Sequence, residues 1–396
     1  MILKMLFYRY GSICEPDAEA AFAGYGLEVC SISREVTDKT ISSKQRIALI
    51  SEKFDRERPV FIFSIDYFPD IARVCRIYSV PYISYVVDSP LPELFSDTVC
   101  YDINRIFLFD RAQYEMLQGF NPDHIFYLPL ATDPARWDML LAGNSSAGCE
   151  HDVSFVGSLY NEKNPYARIK DRLPAYTRGY IDGVVSSMMQ LPGINLAEEV
   201  IDDEITAEIK KADPDFWEIK DAVTGTDRYI AAQCYIGFEE AVHERCRTLT
   251  LLSEHFDTTV YTRSDISELR EQAPGLHFRD GVKTLTEMPL VFHGSRINMN
   301  ITMKAIKTGL SLRVFDICGC GGFLMTNWQQ EFGEYFEPGI EAECYSSFDE
   351  LIQKTDFYLK NEEIRCRIAR AGYERVKREH TWAQRIAQIL KCASGT

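Results

Sequence analysis

The chain has no run of about eighteen apolar residues, so no segment reads as a membrane-spanning helix. Its start, MILKMLFYRYGS, lacks the small-residue cleavage site of a secretory signal. Together these absences predict a cytoplasmic protein without stable membrane insertion. Positive charge is scarce: 43 Lys and Arg stand against 59 Asp and Glu, a formal net charge of −16. Duplex nucleic acid is excluded as a partner, because phosphate binding needs a basic face that releases counterions. An anionic ligand would need a local cluster of cations. The twelve cysteines are scattered singly, and no CxxC meets a second CxxC or spaced histidines. That pattern excludes a zinc ribbon or a disulfide framework and predicts reduced thiols. No internal repeat or low-complexity tract occurs.

What remains is a globular composition, 46% hydrophobic and 26% charged, in 396 residues, which is long for one core and natural for two domains. Short β-branched and aromatic runs alternate with helical segments, as a parallel α/β sheet requires. ILKMLFY, PVFIFSI, YISYVV, RIFLF and IFYLPL read as strands of the first half. Between the second and third, PDIARVCRIY reads as a helix opened by Pro69, with Ile71, Val74 and Tyr78 on one face. The pattern breaks at AGNSSAGCEHD, which places a boundary near residue 148. A second α/β series starts at DVSFVGSLYNEKN and resumes at TTVYT, RINMNIT and GFLMTN after an α-helical insertion at about 165–255. The expected division is an N-terminal domain at 1–148, a C-terminal domain at 149–380 and a closing helix at 381–396.

The stretch GLSLRVFDICGCGGFLMTN carries the sharpest signal. Ser311 can cap a helix from about Leu312, and Gly319, Gly321 and Gly322 end it before an apolar strand. Arg313 lies in the first turn, where the helix dipole disfavours a cation, so a nearby anion is expected. The amides of Leu312, Arg313 and Val314 with the guanidinium could hold a diphosphate, and Asp316 could accept from ribose hydroxyls. The plainer alternative is an i,i+3 Arg–Asp pair with glycines serving only as a stop.

The run from FHGSRINMN through GLSLRVFDICGCGGFLMTN to PGIEAECY and RIARAGYERVKREHTW resembles the C-terminal domain of CgeB-like, spore-maturation-type glycosyltransferases. FSIDYFP, YVVDSP, IFLFD and YLPLATD are similar to the N-terminal domain found with it. The resemblance covers nearly all of the chain outside the insertion. It implies the GT-B fold, two Rossmann-like domains facing across a cleft, with a nucleotide diphosphate sugar held by the C-terminal one. It also implies a closing helix that crosses back to the N-terminal domain. VGSLYNEKN is similar to the VGRL…EKG stretch whose arginine and lysine bind the diphosphate. Gly157 and Lys163 are kept, Ser158 replaces the arginine, and Arg313 is expected to supply the charge. Asp316 stands where such enzymes place the second of two acids, Thr308 takes the first acid's place, and Glu341 is the nearest remaining acid of the motif.

No DxD follows an apolar strand, so the resemblance implies metal-independent transfer with no cofactor beyond the donor. An inverting reaction would need a base on the acceptor side. Asp66, Asp88 and Asp110 each follow a strand. Asp110 has capping-box spacing to Gln113, Asp66 could instead cap the helix opened by Pro69, and Asp88 is followed by prolines that argue against an immediate helix. Glu15 and Asp17 read as dipole partners at a helix start, and His293 as a structural residue or one reaching the cleft. The expectation is a transferase from a nucleotide sugar to a hydroxyl acceptor of unknown identity. A sugar-nucleotide epimerase and a non-catalytic nucleotide-sugar binder are the alternatives. The insertion is expected to shape acceptor access or a homo-oligomer contact.

Overall fold

A computed structural model describes residues 3–143, 149–219 and 221–393. Contacts divide the chain into two units: Met1–Thr132 with Ile219–Gly225 and His380–Thr396, and Asp133–Glu218 with Thr226–Glu379.

The first unit holds a six-stranded sheet in the order β2-β1-β3-β4-β5-β6, built from β1 (Lys4–Tyr8), β2 (Glu28–Ile32), β3 (Ile62–Ile65), β4 (Tyr82–Tyr85), β5 (Asn104–Leu108) and β6 (Ile125–Tyr127). Every pairing is parallel, with Tyr8 opposite both Ile32 and Ser64. Helices cover both faces, so the inner strands are apolar without alternation; Phe7, Phe63, Ile83 and Phe107 are all buried. Phe22 of the Glu15–Gly24 helix packs edge-on against Phe63 at 4.8 Å. The helix Pro69–Tyr78 buries Ile71 and Val74, and Tyr78 lies against Phe54 at 4.1 Å. β2 is the strand the sequence pattern does not announce, because EVCSI at the sheet edge is half polar.

The second unit repeats the plan in the order β12-β11-β10-β7-β8-β9, with β7 (His151–Val156), β8 (Thr258–Thr262), β9 (His277–Asp280), β10 (Ser295–Asn300), β11 (Leu324–Asn327) and β12 (Glu343–Tyr345). All of its pairings are parallel. From β7 the chain builds outward to β9, then returns to lay β10 on the other side. That reversal makes the β7/β10 crevice the switch point, where ligands of such sheets bind beyond the strand ends. Val153, Phe155, Val260, Ile297 and Met325 form the core with Leu249 and Leu252.

Three expected boundaries differ. The helix Pro134–Ala142 belongs to the second unit and packs on the helices Met288–His293 and Glu362–Glu379, so the division falls after Thr132 and not near residue 148. Residues 144–148 of the expected boundary stretch lie outside the described residues. The helix Gly237–His255, counted with the insertion, covers the sheet through Leu249 and Leu252 and belongs to the α/β core. Within the insertion, Ile219–Gly225 joins the first unit: Val223 N–H donates to the Phe95 carbonyl at 2.8 Å and Asp97 N–H to the Asp221 carbonyl at 2.6 Å. The closing helix is Trp382–Ala393; its Trp382 meets Tyr85 at 5.5 Å within the first unit.

The PGIE turn before β12 sits directly on the Glu362–Glu379 helix, where a Cβ at Gly372 would overlap the Glu341 carbonyl oxygen. Gly372→Ala must push helix and turn apart. It should lower unfolding free energy by about 1–3 kcal/mol, the usual range for overpacking, in a urea titration.

Candidate functional site

At the carboxyl edge of the second sheet, three segments converge. The first follows β7. Gly157 sits close under the Phe155 ring, which a Cβ there would approach to 3.1 Å and push back by a few tenths of an ångström. The Ser158 hydroxyl accepts from the Tyr160 amide at 2.8 Å and donates to Glu162 at 2.6 Å, so it braces its own loop. Lys163 is exposed, its ammonium 5.9 Å from the centre of the Tyr160 ring.

The second segment follows β10. Ser311 has the extended backbone of a helix cap, but its hydroxyl donates to Asn300 Oδ1 at 3.3 Å and leaves the helix without a side-chain cap. Asn300 in turn donates to the hydroxyls of Thr302 and Thr326, both at 2.9 Å. The helix Leu312–Gly319 thus opens without a side-chain cap on its first amides, at the switch point. Its far end explains the glycines. Gly321 has φ +71°, and a Cβ on Gly322 would meet Asn298 Nδ2 at 2.8 Å and the Phe292 carbonyl at 3.0 Å.

Arg313 does not stand clear for an anion. Its guanidinium lies 5.5 Å over the Phe292 ring, donates to the Met288 sulfur and pairs with Asp316 at 3.5 Å. Burial lowers its proton affinity, and about a quarter of the side chain stays exposed. Asp316 is buried against it, so the i,i+3 pair is formed and the carboxylate is not presented to a ribose. Glu341 is a further correction. It precedes β12 and so sits at the amino-terminal edge, where it accepts from the Glu337 amide at 3.0 Å and faces Arg375 at 4.0 Å. His293 precedes β10 at that same edge, 3.3 Å from the Cys320 carbonyl.

Two residues not singled out from sequence complete this edge. Arg245, buried on the Gly237–His255 helix, donates to the carbonyls of Ser158 and of Ile301, the latter at 2.7 Å, and lies 3.9 Å over the Tyr160 ring. It ties the ends of β7 and β10 together. The readable signal was an arginine on the helix face that also buries Ala241, Thr248 and Leu252. Glu331, buried after β11, accepts from the Thr308 hydroxyl at 2.7 Å, so an acid backs the position where the resemblance had lost one. Nearby, Lys304 and Glu240 form a buried ion pair at 2.9 Å. Burial, with Glu240 alongside, raises the Glu244 carboxyl to about 8.

In the first unit the carboxyl edge gathers Tyr10 after β1, Asp66 after β3 and Asp88 after β4. Glu15, fully buried, accepts from the amides of Tyr10 and Gly11 at 2.7 and 2.8 Å and pairs with Arg9 at 3.2 Å, so it clamps the loop and is more than a dipole partner. Asp66 has left-handed backbone, φ +55°, a region that aspartate tolerates better than most residues. Its Oδ1 accepts from the amides of Val87 and Asp88 at 2.9 and 3.2 Å, and its Oδ2 takes the Tyr10 hydroxyl. It caps no helix: the Pro69–Tyr78 helix has no side-chain cap. Burial, then the charge of Asp88, pushes its carboxyl up to about 7. Asp88 itself is exposed. Asp110 caps the Arg111–Leu117 helix, as expected, but through the Ala112 amide at 3.2 Å, and the Gln113 side-chain oxygen is left without a partner, so the expected capping box with Gln113 does not form.

A 570 Å³ cavity of the second unit, lined by His293, Arg296, Cys320, Phe323 and Arg365, lies at the amino-terminal ends of β10 and β11, away from these groups.

Residues 245–391 match the family model described as glycosyl transferase-like. No curated protein matches the sequence. Among solved structures the chain is similar to Anabaena HepE in complex with UDP, at 10% identity and TM-score 0.52 over 100% of both chains. It is similar to a sucrose-phosphate synthase from Thermosynechococcus elongatus, at 9% identity and TM-score 0.56 over 98% of each chain. It is also similar to a putative UDP-N-acetylglucosamine 2-epimerase from Listeria monocytogenes, at 11% identity and TM-score 0.52 over 99% of this chain and 96% of that one. These similarities establish the fold, the two Rossmann-like α/β units of GT-B proteins.

The raised Glu244 carboxyl fixes a stability trend. The folded chain holds that proton up to about pH 8, while the unfolded chain releases it near the ordinary carboxyl value, so ionisation opposes folding as pH rises between the two. Glu244→Gln removes the titration. Its stability relative to the parent should therefore climb from pH 5 to pH 9 in paired thermal melts.

Proposed function

We propose that this protein transfers a sugar from a nucleotide diphosphate sugar to a hydroxyl acceptor, and that it is of the CgeB-like kind. One observation carries the reading. The stretch that matches the glycosyl transferase-like family encloses the helix that opens, uncapped, at the β7/β10 switch point. First-turn amides with no side-chain cap at that place suit a diphosphate.

In this reading the amides of Leu312 and Arg313 and the Lys163 ammonium receive the diphosphate and stabilise the charge that develops as the nucleotide leaves. Gly157 and Ser158 let the loop approach, and Arg245 holds that loop against β10. Val314 N–H already bonds the Ser311 carbonyl at 3.1 Å, so it contributes less than its two predecessors. Arg313 acts through its positive field beside the amides, with Asp316 fixing its place. These groups supply the positive charge that a metal would, and none is called for. UDP is the first donor nucleotide to test, because similar structures contain it.

On the acceptor side Asp88, the exposed member of the carboxylate pair, takes the hydroxyl proton. Asp66 and Tyr10 hold its loop, and the buried Asp66 carboxyl beside it, pushed up to about 7, ionises in the range where a general base works best and adds negative charge next to the base. The location is cytoplasmic in this reading.

Three results follow. Incubated with a sugar nucleotide and acceptor alcohols, the chain should yield a new glycoside by NMR; a new sugar nucleotide from the donor alone would instead make it an epimerase. Lys163→Ala should weaken UDP binding about tenfold in calorimetry, the lower range for a charge-assisted hydrogen bond. The pH profile of kcat/KM should rise through an apparent pKa near 7, and Asp66→Asn should abolish that step while the protein stays folded.

A further inference from the structure

Tyr160, in the loop after β7, is unusual in both backbone and side chain. Its backbone is left-handed, φ +71°, a region that glycine or asparagine enters at least cost and a bulky aromatic residue rarely does. Its amide donates to the Ser158 hydroxyl at 2.8 Å and its carbonyl accepts from the Lys163 amide at 3.0 Å, so the turn is fixed on both sides. Strain of this kind persists where the surroundings over-determine it, and it collects at ligand sites.

The ring accounts for part of the choice. Its centre lies 3.9 Å from the Arg245 guanidinium, and Phe238 meets it edge-on at 5.5 Å. A phenylalanine would do as much. The hydroxyl is a separate matter, for it has no hydrogen-bond partner among the described residues. Unlike the phenol oxygens of Tyr166 and Tyr345 it is not sealed in the protein, and Tyr160 as a whole is only half-buried. A donor open to solvent therefore stands at the carboxyl edge of β7, beside the β7/β10 crevice.

Charge decides what it meets there. Arg245 is buried, yet its partners are two carbonyls and this ring; among the described residues neither it nor Lys163 forms an ion pair. The acids on its own helix leave it positive: Glu240 is engaged by Lys304, and Glu244 keeps its proton up to about pH 8. A buried charge without an opposite partner is rare, and more so in a chain of net charge −16. The Lys163 ammonium stands 5.9 Å from the centre of the same ring. Arg313, whose proton affinity burial lowers, also feels the Tyr160 phenol and Arg245, so the three groups lie close together. Cations that converge on an open phenol suit a polyanion with several oxygens, one of which accepts from the hydroxyl.

We infer that the Tyr160 hydroxyl is a ligand contact of this crevice, donating a hydrogen bond to an oxygen of a pyrophosphate group. Free pyrophosphate and a nucleoside diphosphate share that chemistry, and the second source rests on the glycosyltransferase reading.

Calorimetry on the full chain with inorganic pyrophosphate and with UDP tests this. Tyr160→Phe is the informative variant, because it keeps the ring over Arg245 and should melt with the parent. Whichever of the two probes the parent binds should bind about tenfold more weakly to the variant, the loss expected of one hydrogen bond to a charged group. Equal affinities in parent and variant, as a purely structural tyrosine predicts, would overturn the inference and leave the glycosyltransferase reading standing. Hydroxyl-dependent binding of pyrophosphate without any binding of UDP would support the contact and count against that reading. Binding of neither probe by the parent would overturn both. Should the variant melt lower than the parent, NMR of the parent with ring-labelled tyrosine decides: the one signal missing from the variant should shift when pyrophosphate is added, and a signal that stays in place would overturn the inference.

Discussion

Parallel pairing is the constraint on which the chemistry of this chain depends. When all strands of a sheet run one way, every strand's carboxyl end, and the start of every helix that follows, falls on the same edge. In the second unit that rule brings together Gly157–Lys163 after β7, the uncapped helix start after β10 and Glu331 after β11. In the first unit it brings together Tyr10, Asp66 and Asp88. It also excludes. Glu341 and His293 precede their strands, and no side-chain rearrangement carries them to the working edge.

The second unit stabilises its edge with buried charge. Arg245 holds the carbonyls that end β7 and β10, while Glu240 and Lys304 pair in a site with almost no exposure. Taking such charges out of water is expensive, and their value lies more in fixing one arrangement than in adding stability. These contacts give the Gly157–Lys163 loop and the start of the Leu312–Gly319 helix a rigid floor. The first unit does the same with Glu15, which ties two consecutive amides and an arginine behind the Tyr10 loop.

Much of the fold was legible because buried parallel strands are written as short runs of apolar, aromatic and β-branched residues. IFSI, YISY and TTVYT could be little else. β2, β9 and β12 escaped notice, since edge or three-residue strands such as HFRD and ECY carry no apolar run. The site was legible as a motif and less so as a geometry. Residues 311–322 announced the helix and its stop, but sequence spacing does not say that Ser311 turns to Asn300 or that Arg313 folds onto Phe292 and Asp316. Asp66 and Asp88 were readable as acids after strands, whereas the raised carboxyl of Asp66 comes from burial and then from the charge of Asp88, which only the packed sheet creates. Arg245 lies far from the loop it holds, with the whole insertion between them.

The central claim is that a diphosphate seats on the open start of the Leu312–Gly319 helix. Amide hydrogen exchange of the intact chain, with and without UDP-glucose, addresses it most directly. Slowed exchange concentrated in residues 309–316 and 157–163 is the predicted result. Slowing confined to residues 293–296 and 362–373, around the cavity at the opposite edge, would contradict it.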